Sequence, residues 1–351
     1  MYCGTCILNP TIGLERSVMR IFRNSAWLSI LAAASALAPS AHANLLVSSF
    51  ATNEVIQYNG TTGAYIGAFV AASAGGLSSP MGLAYKSGNL FVASSGTNEV
   101  LKFNGTTGVA MGTFASGSGL SSPNGIVFGP DGNLYVASTG SSEVKKFNGT
   151  TGAFMSDFVM NSPGPLSADV GLVFGPDGNL YVASGTGVAS KVLKFNGTTG
   201  AYLGDFATNS GLLSPRGVTF GADGNLYVSS GNGQKILKFN GTTGAFISDF
   251  AVSAQFNVNG PFGVIFGDDG NLYAATGLTS SDSQVLRFNK TTGAFINSFV
   301  GVNSNGGLAD PTFLLFTPGA GVPEPTTLAM FTLGGALLAF ARRKKIFGGR
   351  K

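Results

Sequence analysis

Residues 125–158 read GIVFGPDGNLYVASTGSSEVKKFNGTTGAFMSDF, and this stretch decides the fold. It contains four short, largely apolar runs: Gly125 to Phe128, Leu134 to Ser138, Glu143 to Phe147 and Ala153 to Phe158. Small polar residues separate them. Asp131 with Gly132, and Asn148 with Gly149, are expected to close tight hairpins, because these residue types tolerate positive φ. Four strands joined in this way form an antiparallel meander. Leu134 to Ala137 is apolar on both sides of the strand alternation, so both faces of the small sheet need cover.

The unit recurs along the chain. NLYVAS returns, with small changes, at Asn44, Asn89, Asn133, Asn179, Asn225 and Asn271, at intervals of 45, 44, 46, 46 and 46 residues. FNGTTGA returns at Tyr58, Phe103, Phe147, Phe195, Phe239 and Phe288. Four-stranded units of this period cover one another's faces by stacking radially around a channel. The first copy begins at its second strand, and the missing first strand stands at the far end as Pro311 to Thr317, PTFLLFT. Pairing these ends predicts an all-β, six-bladed β-propeller over residues 44–317, with four-stranded antiparallel blades and no free edge at the closure.

Composition agrees with this reading: charged residues are 10% of the 351, while Gly numbers 53 and Phe 28. The ends of the chain read differently. Arg16, Arg20 and Arg23 precede an apolar run from Ala26 to Ala38, and Ala41, His42 and Ala43 form a small-x-small cleavage site, so residues 1–43 are expected to be a signal peptide. Met19 is an alternative start that gives a leader of ordinary proportions. Both cysteines, the single histidine His42 and the single tryptophan Trp27 fall in this segment. The folded body must therefore be held by its apolar core, which about 270 residues can supply without disulfides.

Net charge is +4, but nine of the 20 Lys and Arg lie outside residues 44–341, whereas only Glu15 of the 16 Asp and Glu does. The body then holds 11 cations against 15 acids, a net charge of −4, which removes the electrostatic case for nucleic acid. After a linker, residues 318–325, an apolar run from Thr326 to Phe340 precedes Arg342, Arg343, Lys344 and Lys345. About 15 apolar residues are short for a permanent span, and the basic cluster is expected to stay cytoplasmic.

Pro323, Glu324 and Pro325, the short apolar segment and the basic terminus with Arg342 and Arg343 together resemble the PEP-CTERM sorting domain, over residues 323–345. The resemblance implies export in a Gram-negative bacterium, transient anchoring in the inner membrane, and processing by an exosortase-type enzyme as a partner. The surface or extracellular space is the implied destination. The body resembles NHL-repeat propellers and the related gluconolactonase-like and streptogramin-lyase-like propellers, through Pro-x-Gly-apolar-x-Phe, DGNLYVAS and a strand ending KFN. Where many NHL repeats place Asp after the second strand, this chain has Ser94, Ser138, Ser184 and Ser230, so that Asp's contacts are not carried over.

Ser-His-Asp chemistry needs a base, and the body has neither His nor Cys, which also argues against a zinc enzyme. No catalytic residue, metal or cofactor is expected. Asp131, Asp177, Asp223, Asp268 and Asp269 could offer oxygen ligands to calcium, but they recur a blade apart and read as turn residues. The Asn-x-Thr triplets at Asn59, Asn104, Asn148, Asn196, Asn240 and Asn289 match a glycosylation pattern and read as turns. Phe103, Phe147, Phe195, Phe239 and Phe288 read as packing between blades rather than a sugar-stacking ladder.

Difference among near-identical blades is the better ligand signal. The residue before the first strand's Gly is Met81, Asn124, Val170, Arg216 and Phe262 in turn, with Thr312 in the closing blade. Asn124, Arg216, the neighbouring Asp169 and Phe262 are the candidate ligand-binding residues, a set suited to a polar ligand such as a sugar. The expectation is a non-catalytic binding or scaffold propeller, with exopolysaccharide or another surface protein as partner. The alternative is a metal-dependent hydrolase or lyase of the gluconolactonase or streptogramin-lyase type, which rests on fold alone.

Overall fold

Residues 43–160, 166–167, 171–185, 190–208, 211–252 and 260–318 are described by a computed structural model. Within them the repeat forms six four-stranded antiparallel sheets. Residues 1–42, Asp169, Val170 and the sorting residues Pro323, Glu324, Pro325, Arg342 and Arg343 lie outside the described residues.

Blade 3 shows the plan, with strands Pro123–Phe128, Leu134–Ser138, Glu143–Phe147 and Phe154–Val159 in chain order from the axis outward. The inner strands of the other blades are Pro80–Lys86 in blade 2, Leu172–Phe174 in blade 4, Pro215–Phe220 in blade 5 and Pro261–Phe266 in blade 6. Blade 1 is built from both ends, as expected. Leu45–Ser49 pairs with Glu54–Tyr58 on one side and with Pro311–Phe316 on the other, in the register Leu45 to Phe316 and Val47 to Leu314. The Thr317 N–H adds a bond to the Asn44 carbonyl at 2.8 Å.

The doubly apolar second strand is the reason for stacking: Leu134, Tyr135, Val136, Ala137 and Ser138 are all buried. The core accordingly lies between blades, as where Tyr181, Ala183 and Val192 of blade 4 meet Val218, Leu226 and Val228 of blade 5. The repeated Phe103, Phe147, Phe195, Phe239 and Phe288 are fully buried in these interfaces. Tyr135 meets Phe158 of its own blade at 4.8 Å and Phe174 of the next at 4.9 Å, both edge to face. Tyr181, Tyr227 and Tyr273 repeat the arrangement, and each such pair adds about 0.5–1.5 kcal/mol beyond its area.

The turns correct one expectation. Neither Asp131, Asn148 nor Gly149 adopts positive φ; that conformation falls to Gly132 at 76° and Gly152 at 74°. Gly149 is required for another reason: a Cβ there would lie 1.8 Å from the Gly132 carbonyl oxygen of the neighbouring hairpin. Asn148 acts through its side chain, whose Oδ1 accepts from the Thr150 and Thr151 N–H groups at 3.0 and 2.9 Å. All six Asn-x-Thr sites make this Asx turn.

The serines that replace Asp after the second strand are tethers. Ser94, Ser138, Ser184 and Ser230 are buried, and their Oγ atoms accept from Ser78, Ser121, Ser167 and Leu213 N–H at 2.7–3.0 Å. The Ser94, Ser138 and Ser184 hydroxyls donate to the carbonyl of the same residue at 3.2 Å and the Ser230 hydroxyl to the Gly211 carbonyl at 2.9 Å, pinning the loop that enters the inner strand.

Candidate functional site

The inner strands of blades 1, 2, 3, 5 and 6 each carry a bulge at one end of the channel. In blade 3, Pro123 pairs with Ser138 and Ile126 with Val136, so Asn124 and Gly125 stand opposite Ala137 alone. A bulge of this kind re-aims its side chains. The residue before the bulged strand has positive φ at Ser79, Ser122, Ser214, Gly260 and Asp310. The second bulge residue is glycine because neighbouring inner strands touch backbone to backbone. A Cβ on Gly82 would lie 2.5 Å from the Asn124 oxygen, and one on Gly217 would lie 2.7 Å from the Phe262 oxygen.

Of the candidates drawn from the sequence, the fold brings Arg216 and Phe262 together. The half-buried guanidinium of Arg216 lies 5.0 Å from the Phe262 ring centre and passes over Gly231, where a Cβ would come within 2.6 Å of its Nε. Burial lowers the Arg216 pKa against the opposing pull of Asp310. The Asp310 carboxyl is raised by burial, an effect that Arg216 opposes and Asp282 reinforces. Asn124 stands two blades away, only 8% exposed, and its Oδ1 finds no hydrogen-bond partner among the described residues. Thr312 is also buried, its hydroxyl donating to the Pro80 carbonyl at 3.1 Å.

Phe313 was missed by sequence reasoning. It has a side chain where blades 2 to 6 have Gly82, Gly125, Gly171, Gly217 and Gly263. It meets Phe262 edge to face at 5.5 Å, and Phe50, Phe262 and Phe313 pack against Met81 and Ile126. Among the described residues the mouth is thus mainly apolar, with Arg216 and Asp310 as charged groups near it. Aligning position 313 as well as position 312 would have found it.

The opposite end carries the Asp-Gly-Asn hairpins. Asp131 accepts from the Asn133 N–H at 3.0 Å, the Asn133 amide at 2.9 Å, the Tyr135 hydroxyl at 3.0 Å and Lys146 at 2.8 Å. Burial would raise its pKa, but the bonds from Lys146, Asn133 and Tyr135 outweigh it and bring the carboxyl down from 3.8 to about 2. Asp177 and Asp223 repeat the set with Lys194 and Lys238, each at 2.8 Å. In blade 6 the partner of Asp269 is Arg287, at 3.7 Å. These aspartates are spent on their own turns, and no group of three His, Cys, Asp or Glu among the described residues is placed to hold a metal. A further pocket of about 610 Å³ opens between blades 5 and 6, beside Asp223, Asp268 and Lys290.

No helix among the described residues is long and apolar enough to cross a membrane. No curated protein matches the chain by sequence. Solved structures share the fold at low identity. One is a nidogen/laminin complex, with 16% identity, a TM-score of 0.60, and coverage of 77% of this chain and 97% of the other. The virginiamycin B lyase of Staphylococcus aureus, solved with quinupristin as a catalytically inactive histidine-to-alanine variant, is 15% identical with a TM-score of 0.53, covering 76% and 88%. A streptogramin B lyase is 18% identical with a TM-score of 0.53, covering 72% and 81%. Residues 321–345 match the family model of the PEP-CTERM protein-sorting motif. The chain is a six-bladed β-propeller followed by a PEP-CTERM sorting motif, which marks it for export through an exosortase-type system.

Proposed function

We propose that the propeller is a non-catalytic binding or scaffold protein at the cell surface or in the extracellular matrix, engaging exopolysaccharide or another surface protein. One observation carries the reading. Each blade exposes large apolar side chains where its outer strand leaves the Asx turn: Tyr65 and Ile66, Met111, Phe154 and Met155, Tyr202 and Leu203, Phe246 and Ile247, Phe295 and Ile296. Ile66, Met111 and Leu203 are 51%, 54% and 51% exposed. Apolar groups scattered singly on a surface need no explanation, but their repetition around the whole outer wall is the mark of a contact surface. Arg216 on Phe262 supplies a separate polar subsite at the channel mouth.

The alternative, a lyase or lactonase, rests on likeness of fold. The virginiamycin B lyase variant lacking one histidine is catalytically inactive, whereas residues 44–317 of this chain contain no histidine. Co-sedimentation of residues 44–317 with extracellular polymer from the source organism tests the proposal, alongside Arg216→Ala and an Ile66→Ser/Leu203→Ser/Ile247→Ser variant. Wild type is expected to pellet with the polymer, and whichever variant stays in solution locates the surface. Absence of binding, or turnover of a lactone or streptogramin by the purified body, overturns the proposal.

A further inference from the structure

The hairpin of blade 2 lacks the acid that its sister blades use to neutralise their lysine. Lys102 occupies the strand position of Lys146, Lys194 and Lys238, but Ser87 stands in place of the aspartate and Phe91 in place of the tyrosine. The loop is also one residue shorter, turning on Ser87 at φ 49° and Gly88 at φ 73°. Lys102 forms no ion pair or hydrogen bond among the described residues, and its Nζ lies 5.9 Å from the Phe91 ring centre.

A second cation stands beside it. Lys86 has no counterpart in blades 3 to 6, where Gly-Pro or a related pair precedes the aspartate. Its Nζ donates to the Gly132 and Gly149 carbonyls of blade 3 and lies 4.6 Å from the Phe128 ring centre. All these partners are neutral. No carboxylate lies within ion-pairing distance of either ammonium among the described residues. Lys86, Ser87, Asn89, Phe91, Lys102 and Thr150 line a pocket of about 150 Å³ at this place.

We infer that this pocket binds the carboxylate of an acidic sugar unit, seated by Lys102 where the sister blades seat an aspartate carboxylate, with Lys86 beside it. The sister blades define the chemistry. A lysine at this position takes a carboxylate oxygen at 2.8 Å in blades 3, 4 and 5, and charge-assisted bonds of this kind are roughly twice as strong as neutral ones. The Ser87 and Thr150 hydroxyls and the Asn89 amide suit ring hydroxyls, and Phe91 and Phe114 supply an apolar wall for a sugar face. The site lies at the opposite end of the channel from Arg216, so it stands or falls separately from the mouth.

The test is calorimetric titration of the full chain, in mild detergent at low salt, with glucuronate oligomers, neutral glucose oligomers, acetate and polyglutamate. Glucuronate oligomers should bind, and Lys102→Gln should weaken them by about tenfold or more, the usual effect of losing a charged hydrogen bond. Ser87→Asp supplies the internal acid of the sister blades at a residue type that tolerates this turn, and should abolish binding without lowering the melting temperature. Lys102→Arg should retain binding, which separates loss of charge from loss of fold. Equal affinity of wild type and Ser87→Asp overturns the inference, as does tighter binding of polyglutamate or acetate, or absence of glucuronate binding by wild type. Co-sedimentation with native polymer reads the general binding role independently of these outcomes.

Discussion

Acid should weaken this propeller through three repeated hairpins. The Asp131 and Asp177 carboxyls are each brought from 3.8 to about 2 by their lysine, asparagine and tyrosine partners, which outweigh the raising effect of burial. Asp223 is lowered in the same way by Lys238, Asn225 and Tyr227. A folded pKa below the unfolded one means that the folded state holds its proton less tightly. The stabilisation is therefore fully present above pH 3.8 and is lost as pH falls from there toward 2. A carboxyl moved from 3.8 to about 2 corresponds formally to roughly 2.4 kcal/mol. The three side chains are 39%, 41% and 40% exposed, so solvent screening reduces this to about 1 kcal/mol each. About 3 kcal/mol in total is a large part of a domain stability of roughly 5–15 kcal/mol. Asp310, raised by burial, works in the opposite direction, but it is one group against three. The assay is urea unfolding from pH 6 to pH 2 at constant ionic strength, for wild type and for Asp131→Asn/Asp177→Asn/Asp223→Asn. The triple variant should be less stable at pH 6 and should lose distinctly less stability on acidification. If both proteins show the same pH slope, the hairpin pairs do not contribute in this way and the reasoning fails.

Two further outcomes follow from the architecture. Deleting residues 311–317 strips the inner strand from blade 1 and uncovers Leu45, Leu46 and Val47, all fully buried; the shortened protein should aggregate or melt far below wild type, and equal heat resistance would contradict closure. Ser230→Ala removes the acceptor for the Leu213 N–H at 2.7 Å and should cost about 1–3 kcal/mol in urea unfolding, the price of an orphaned buried donor; no change would mean that the serine tether is idle.

The architecture was legible because it is written in period and pattern. Six copies of a strand that is apolar on both faces can be satisfied only by stacking, and the orphan strand at Pro311 named its own partner at Leu45. The asparagine turns were legible in outcome but not in mechanism. At Gly149 the sequence suggests local conformational freedom, whereas the residue is fixed by the approach of a neighbouring hairpin, which leaves no trace in a single repeat. The candidate mouth was legible as a set of differences, because packing asks the same of every blade and the differences stand out. Burial was not legible: Asn124 and Arg216 look equally polar on paper, yet one is enclosed and the other lies at the rim against Phe262.

The two blades that break the lower hairpin pattern do so for different physical reasons. Blade 1 has no covalent hairpin between Phe316 and Asn44, so its joint is made by hydrogen bonds: the Asn44 N–H donates to the Thr317 hydroxyl at 3.1 Å and the Thr317 N–H to the Asn44 carbonyl at 2.8 Å. There Leu46 and Gln57 stand where blade 3 has Tyr135 and Lys146, and Thr317, at the register position of Gly129, takes the Asn44 N–H. Closure of the ring accounts for the whole change. Blade 2 has an ordinary covalent hairpin, yet it has exchanged the acid and the hydroxyl while keeping Lys102 and adding Lys86. Packing cannot explain that choice, since a neutral residue such as Gln57 serves the same strand position in blade 1. A retained ammonium with its internal acid removed is the arrangement that an external carboxylate would complete, which makes Ser87→Asp the decisive variant.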